Sequence, residues 1–455
     1  MTRRELWARL GGATLATGPR RRPNVILILT DDQRQDTVCA LGNPAIRTPN
    51  LDRLVQSGVT FRNAYCMGGH VAAVCLPSRM MIMRGRSWFS ILRDPRPTPN
   101  LPATLNAAGY LTYQFTKRGN TDHAAQQSFA YGDYPAPDDQ ADRLAAQPGR
   151  QMADGALRFL ARWIEDPSRP FFMYLAGASP HDPRVAAPEY LAMYDPARIP
   201  LPRNFRPFHP FDNGDLFVRD ERLAPWPRTE AEIRRHLRDY YAVITQMDRE
   251  IGRIVEAVKQ AGQYDHTIFL FTSDQGLALG SHGLMGKQNL YEHSMRPGLI
   301  VAGPGIPRGR QVDAFAYLLD IYPTICELVG LEPPASLEGK SLAPVIRGRA
   351  RRVRDTVFLA YRDTQRAVRR GRWKLLRYPR INRTQLFDLA ADPDEVNDLA
   401  GRPSHRARVD ELTVLLRKQQ ELYGDSAPLV WEGAPPGDVT LEFYQKAPPP
   451  APGKP

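Results

Sequence analysis

Asn24-Val-Ile-Leu-Ile-Leu-Thr30, followed at once by Asp31-Asp32-Gln33, is the stretch whose reading decides the fold class. A strand with one wet face alternates apolar and polar residues. This one is apolar at every position from Val25 to Leu29, which predicts a strand buried on both faces, as in the middle of a parallel sheet. Open α/β sheets place their ligands beyond the carboxyl ends of such strands. Asp31 and Asp32 are therefore candidate ligands for a hard cation, which prefers oxygen donors. The competing reading of two adjacent acids is an exposed loop or a helix cap.

Working outward, the same pattern recurs. Tyr110 to Thr116 reads as a strand ending at Lys117, Phe171 to Gly177 as one ending near His181, and Thr267 to Thr272 as one ending at Asp274-Gln275. Between them lie segments of helical period: Leu101 to Gly109, Gly155 to Glu165, and a long stripe from Ile233 to Val258 whose apolar face is core packing. Thr48-Pro49-Asn50-Leu51 has the signature of a helix start, and Gly58 to Tyr65 reads as a further strand. The fold class is α/β: a mixed, mostly parallel sheet flanked by helices. Beyond Arg347 the composition turns basic. Ala367 to Arg377 reads as two antiparallel strands about a Gly turn, and a helix from about Ser404 to Tyr423 covers them. This makes a small C-terminal antiparallel sheet. The expected divisions are a basic leader or degenerate export signal over 1–21, a catalytic domain over 22–350, a C-terminal subdomain over 351–445 and a Pro-rich disordered tail over 446–455.

Composition narrows the function. Lys and Arg number 61 against 49 Asp and Glu, a net charge of +12. That excess fits either an Arg-rich proteome or attraction of anionic substrates. No long basic block or known binding module points to nucleic acid. No apolar run is long enough to span a membrane. The four cysteines, Cys39, Cys66, Cys75 and Cys326, make no disulfide framework. Cys66 and Cys75 are close enough to invite a pairing, whereas Cys39 and Cys326 read as buried small hydrophobes. The leader leaves localisation open between periplasmic or secreted and cytoplasmic. The segment Ile199 to Arg228 lacks periodicity and is dense in Pro, Arg and aromatics. A loop of that length is usually functional or disordered, and it reads as a rim over the site, with Arg203, His209 and Arg219 as contributors.

The central stretch for chemistry is Cys75-Leu-Pro-Ser-Arg79, opening the apolar run Met80 to Met83 that closes on Gly85. A helix starting here would put Cys75 at its positive end. In order along the chain, Asp31-Asp32, Thr48-Pro-Asn-Leu-Asp-Arg-Leu54, Phe61-Arg-Asn-Ala-Tyr65 and Cys75-x-Pro-Ser-Arg79 resemble the N-terminal half of the type I sulfatases, of the alkaline-phosphatase-like superfamily. Ser273-Asp274-Gln275-Gly276, Gly286-Lys287 and Gln385 to Ala400 continue the resemblance.

The resemblance implies that Cys75 is oxidised by a maturation enzyme to formylglycine, whose hydrate is the nucleophile. It implies a metal site of Asp31, Asp32, Cys75, Asp274 and Gln275, holding Ca²⁺ with Mg²⁺ as the alternative. Lys117 and Lys287 would bind the sulfate of an anionic small-molecule or glycan ester, Arg79 would brace the metal carboxylates, and His181 would contact and protonate the ester oxygen. Two departures stand out. Gln275 replaces the family's Asn or His, and Gly119 occupies the position of a histidine that helps release sulfate. Asn120, Asp122 and His123 are the nearby candidates for that task. The expected activity is hydrolysis of a sulfate ester, with a carbohydrate as the expected carrier. The alternatives are a phosphonate monoester or phosphodiester hydrolase of the same superfamily, or a non-catalytic sulfoglycan-binding protein.

Overall fold

The structure, a computed structural model, describes residues 22–96, 99–117, 121–134 and 146–446. The leader 1–21, the tail beyond Lys446, and Gly119 with Asn120 lie outside the described residues.

The strands in chain order are β1 (Asn24–Thr30), β2 (Gly58–Phe61), β3 (Ala64–Tyr65), β4 (Gly68–Gly69), β5 (Leu111–Phe115), β6 (Tyr131–Asp133), β7 (Phe171–Ala176) and β8 (Thr267–Ser273). They continue as β9 (Leu299–Ala302), β10 (Arg310–Val312), β11 (Ala316–Tyr317), β12 (Thr356–Tyr361), β13 (Gln365–Arg370), β14 (Trp373–Tyr378) and β15 (Arg383–Asp388). One sheet runs β10-β2-β9-β8-β1-β7-β5-β6, parallel except for β9, which is antiparallel to both β2 and β8. β1 is central, paired in parallel to β7 and β8.

The unbroken apolar run of β1 splits by period two between two cores. Val25, Leu27 and Leu29 face one core, which includes Met81 and Ile82 of the helix Cys75–Arg84. Ile26 and Ile28 face the other, shared with the helices Arg150–Trp163 and Glu230–Gln260. Each such side chain removed from water contributes about 1.5–3 kcal/mol, so the site is hung on the least deformable strand.

The second sheet runs β15-β14-β13-β12-β4, antiparallel through β12 and covered by the helix Arg406–Tyr423. Its last member, β4, comes from the N-terminal part of the chain and pairs in parallel with β12. Gly68 has φ +85°, and a Cβ there would meet the Ala360 carbonyl oxygen at 2.1 Å. Only glycine permits this approach.

Three sequence readings need correction. The segment Gly58 to Tyr65 is not one strand: β2 joins the large sheet while β3 pairs with β11. Cys66 and Cys75 form no disulfide, because all four cysteines are free, and the Cys66 thiol lies 3.6 Å from the Met295 carbonyl oxygen. Cys39 is half-buried rather than buried.

Candidate active site

Four adjacent strands, β8, β1, β7 and β5, end at one edge of the large sheet and deliver residues to one place. After β1 come Asp31 and Asp32. In extended chain these neighbours would point to opposite faces. Asp32 instead adopts φ +68°, a conformation uncommon outside glycine. It is held there by its N–H donating to Asp274 Oδ1 (3.1 Å) and by the Tyr240 hydroxyl donating to its carbonyl oxygen (2.5 Å). The turn lets both carboxylates share a site with Asp274, which follows β8. Ligand atoms of Asp31, Asp32, Asp274 and Cys75 all lie within 4.8 Å of one another, and all four residues are buried.

Cys75 begins the helix Cys75–Arg84, whose end is set by Gly85 at φ +60°. Its Sγ lies 3.2 Å from Asp31 Oδ1, 3.0 Å from Gln275 Nε2 and 3.2 Å from Lys287 Nζ. One turn on, the fully buried Arg79 donates from Nε to Asp274 Oδ2 (3.0 Å) and stands 3.1 Å from Asp31 Oδ2. The Ser78 hydroxyl donates to the Asp274 carbonyl oxygen at 2.6 Å. The cysteine's helix is thus tied to both metal-type strand ends.

Lys287 Nζ donates to both oxygens of Asp32 at 2.8 Å. Lys117 Nζ stands 3.9 Å from Asp31 Oδ2. His181 presents Nε2 at 3.7 Å from Asp32 Oδ2, while its Nδ1–H donates to the Asp182 carbonyl oxygen at 2.8 Å.

Burial raises Asp31, but Arg79 and then His181, Lys117 and Lys287 outweigh it and hold the carboxyl well below its usual range. Asp274 is pushed up to about 7 by burial and by the Asp31 charge. Burial and Asp31 likewise push the Cys75 thiol well up. For Lys287, burial is overcome by Asp32, leaving the ammonium firmly charged.

The donor set fits a hard cation. Three carboxylates converge, and the buried Gln275 Oε1 has no hydrogen-bond donor. Its amide instead gives Nε2 to Asp32 Oδ1 at 2.6 Å. Because an amide's O and N are interchangeable by a flip, the same side chain can offer oxygen to a cation. Oxygen ligands favour Ca²⁺ or Mg²⁺ chemistry over a zinc-type set.

Of the sequence candidates, Asp31, Asp32, Cys75, Arg79, Lys117, His181, Asp274, Gln275 and Lys287 come together. Others do not. Asp122 is the N-cap of the helix His123–Ser128, accepting from Ala125 N–H, and pairs with Arg84. His123 is exposed. His209 is buried away from the cluster, donating from Nδ1 to the His282 carbonyl oxygen (2.9 Å). Arg203 sits at the surface, 3.5 Å from Asp394.

The long segment before Arg228 does reach the site, through acids that sequence reasoning missed. Glu221, paired with Arg228, accepts the N–H groups of Met285 (2.9 Å) and Gly286 (2.8 Å), fixing the turn that presents Lys287. Asp182, paired with Arg219, stands 3.4 Å from His181 Nδ1. Gln288 Nε2 bridges Asp220 (2.8 Å) and the Ala72 carbonyl oxygen (3.0 Å). Nothing periodic marks these residues.

Comparison with known proteins gives a consistent result. A family model described as Sulfatase matches residues 23–331, and one described as N-sulphoglucosamine sulphohydrolase, C-terminal, matches 280–422. The chain is 27% identical to an N-acetylglucosamine-6-O-sulfatase of Bacteroides thetaiotaomicron, covering 90% of this chain and 88% of that protein. Among solved structures, one in complex with its substrate D-glucosamine-2-N,6-O-disulfate superposes with a TM-score of 0.75 at 23% identity, covering 90% of this chain and 99% of the other. A phosphonate monoester hydrolase of Agrobacterium radiobacter superposes with a TM-score of 0.72 at 23% identity, covering 92% and 99%. Likeness at that identity speaks to the fold.

Proposed function

Because the chain belongs to the sulfatase family and is a sulfuric ester hydrolase, we propose that its substrate is a sulfated carbohydrate and that its nucleophile derives from Cys75. The observation that carries this reading is the setting of Cys75 Sγ, at the start of a helix and within 3.2 Å of both a carboxylate and the Lys287 ammonium. Reactive cysteines sit in electropositive surroundings. This one is crowded by the carboxylates of Asp31, Asp32 and Asp274, which suits an oxygen nucleophile better than a thiolate. In the proposed mature enzyme Sγ stands in for an oxygen of the formylglycine hydrate, installed by a maturation enzyme.

One hydroxyl of the hydrate attacks sulfur and the S–O bond to the sugar breaks. His181, oriented by Asp182, gives the leaving oxygen its proton from Nε2. Loss of the second hydroxyl's proton then expels sulfate and restores the aldehyde, a release step that a serine could not supply. Lys117 and Lys287 neutralise sulfate oxygens as charge shifts onto them. Asp31, Asp32, Asp274 and the Gln275 amide oxygen would hold the cation, proposed as Ca²⁺, which supplies charge stabilisation and acidifies the nucleophile. Arg79 pairs with both Asp31 and Asp274 and favours the charged form of each. We place the catalytic domain at 22–350 and the C-terminal subdomain at 351–445.

The glucosamine substrate of the structural neighbour and the name of the Bacteroides relative support an amino-sugar sulfate as the first substrate to try. The test pairs mass spectrometry of the Cys75 peptide, after co-expression with a maturation enzyme, with sulfate release from a panel of sulfated sugars. The expected result is aldehyde at Cys75 and release from at least one sugar. Unmodified thiol alongside full turnover would refute the nucleophile. Faster turnover of phenyl phosphonate than of every sulfate ester would refute the substrate class.

A further inference from the structure

A groove of about 1100 Å³ lies beside the active site, between the outer end of the large sheet and the C-terminal sheet. Ten arginines and four carboxylates line it, with no lysine. One wall is Arg62 and the residues of β10. The other is the β13–β14 hairpin with Arg370 and Arg372, and the helix Arg406–Tyr423 adds Arg408. None of these residues belongs to the Cys75 cluster.

Four of the ten guanidinium groups have no close carboxylate, whereas Arg62, Arg296, Arg354, Arg369, Arg372 and Arg408 are each paired with one. Arg351 and Arg352 are exposed, and among the described residues they have no ion-pair partner. Arg310 donates only to backbone, at 3.1 Å to the Val345 carbonyl oxygen. Arg370 meets Asp355 at 3.8 Å, with both side chains more than half exposed. Such exposed pairs hold their partners only weakly. Guanidinium forks match the planar oxygen pairs of sulfate and phosphate. The volume exceeds what a single anion needs.

We propose that this groove is a non-catalytic binding site for a sulfated polysaccharide. The inference rests on the carbohydrate reading above. The C-terminal ends of β1 and β10 point the same way, because β10 is parallel to β2 and β2 runs with β8 and β1. Groove and active site therefore open along one sheet edge. They are four strand positions apart, about 20 Å at the usual spacing. One polymer can occupy the groove while a residue further along reaches Cys75, which raises its effective concentration there.

A nucleic acid fits less well. Proteins that hold single strands offer open aromatic platforms for bases. Here Trp373 already carries the guanidiniums of Arg372 (5.9 Å) and Arg408 (5.4 Å), and Phe315 carries that of Arg369 (5.1 Å).

The test is binding of size-defined dextran sulfate to the full chain and to an Arg351→Ala/Arg352→Ala/Arg370→Ala variant across a salt series. The expected result is affinity weakened roughly tenfold or more with a shallower salt dependence, KM for sulfated polymer raised, and turnover of a monosaccharide sulfate unchanged. Unchanged dextran sulfate binding in the variant would overturn the proposal, as would equal binding of uncharged dextran. Tighter binding of poly-dT than of dextran sulfate, lost in the same variant, would overturn it in favour of nucleic acid. The binding arm needs no turnover. Intact, arginine-dependent binding by a protein that cleaves no sulfate ester would leave the groove standing and refute the proposed function alone.

Discussion

Two dry clusters of charge sit on either side of the stretch from Lys287 to Glu292, and they are built on opposite rules. At the seam between the sheets, Lys374 is fully buried with its ammonium 2.9 Å from Glu292 and 2.8 Å from Glu395. Glu292 also receives the Tyr65 hydroxyl (2.7 Å) and Arg369 (2.9 Å), and its own N–H donates to Glu395 at 2.7 Å. Signs alternate, so the charges offset one another in place. At the active site, three carboxylates and a thiol converge within 4.8 Å, with an amide oxygen left without a donor beside them. The seam's charges pair off in place; at the site Arg79, Lys287 and Lys117 flank the carboxylates, yet the carboxylates still face one another, an arrangement that suits an additional positive charge and an anionic guest. Burial of charge alone does not mark function. Crowding of like charge does, since folding gains nothing from it.

The sharpest break of this comparison is Asp31→Ala. It should remove both cation binding, measured by metal analysis of the purified protein, and turnover, by about three orders of magnitude or more. Retained metal with lost turnover would mean the ligand set is wrong. Next is one substitution made in both clusters. Lys287→Met should lower kcat by about 10²–10³, and because Lys287 pairs with the buried Asp32 it should also cost stability. Lys374→Met should cost about 3–5 kcal/mol of stability and leave the turnover of folded protein nearly intact. If Lys374→Met lowers the kcat of folded protein as far as Lys287→Met does, the distinction between the clusters fails.

The pH dependence of stability gives a smaller effect. His209, His282 and His293 are pushed down by burial, His209 to about 4. The unfolded chain then binds more protons than the folded one below an imidazole's usual value near 6.5, so stability falls as pH drops from about 6.5 toward 4. Glu395, pushed up to about 7 by burial, acts oppositely: its contribution is present at low pH and declines as pH rises from about 4.5 to 7. His236, pushed down to about 4 by burial, adds to the imidazoles, while Asp274 (about 7) and Asp248 (about 6), pushed up by burial, act with Glu395. His209→Gln should lose less melting temperature between about pH 6.5 and 4.5 than the unsubstituted protein does, by the share that His209 supplies. The smallest effect expected is for Arg219→Ala. It frees Asp182 beside His181 and should lower kcat by about three- to tenfold, with a displaced limb in the pH–rate profile and little change in stability.

Much of the site was legible because its residues follow strands that announce themselves. The runs before Asp31, His181 and Asp274 are apolar at nearly every position, and Cys75 opens a helix with a marked end at Gly85. What was not legible depends on distant partners. Glu221 matters through backbone N–H groups brought in from another segment, and the stretch from Ile199 to Arg228 has no period to betray it; Asp182, beside His181, matters through Arg219 of that stretch. His209 looked like a rim residue because His and Arg in an irregular loop suggest solvent. In the fold it packs against Phe211, with the rings tilted at 59° and their centroids 4.3 Å apart, inside the core. Strands of two residues, such as β3 and β4, are too short to carry any pattern. The proximity of Cys66 and Cys75 in sequence suggested a bond, but both are free: Cys66 Sγ meets the Met295 carbonyl oxygen while Cys75 Sγ meets Asp31.

The pairing of Gly68–Gly69 with Ala360 and Tyr361 also sets an order of events in time. A ribosome adds about 5–20 residues per second, so the turn leading to Cys75 waits roughly a quarter-minute to a minute for the strand that will clamp it. During that interval the cysteine is on a segment still lacking its neighbour. Once β12 arrives, Cys75 is 6% exposed. Any enzyme that must alter this side chain has to act while the protein is still being made, or unfold what it has finished.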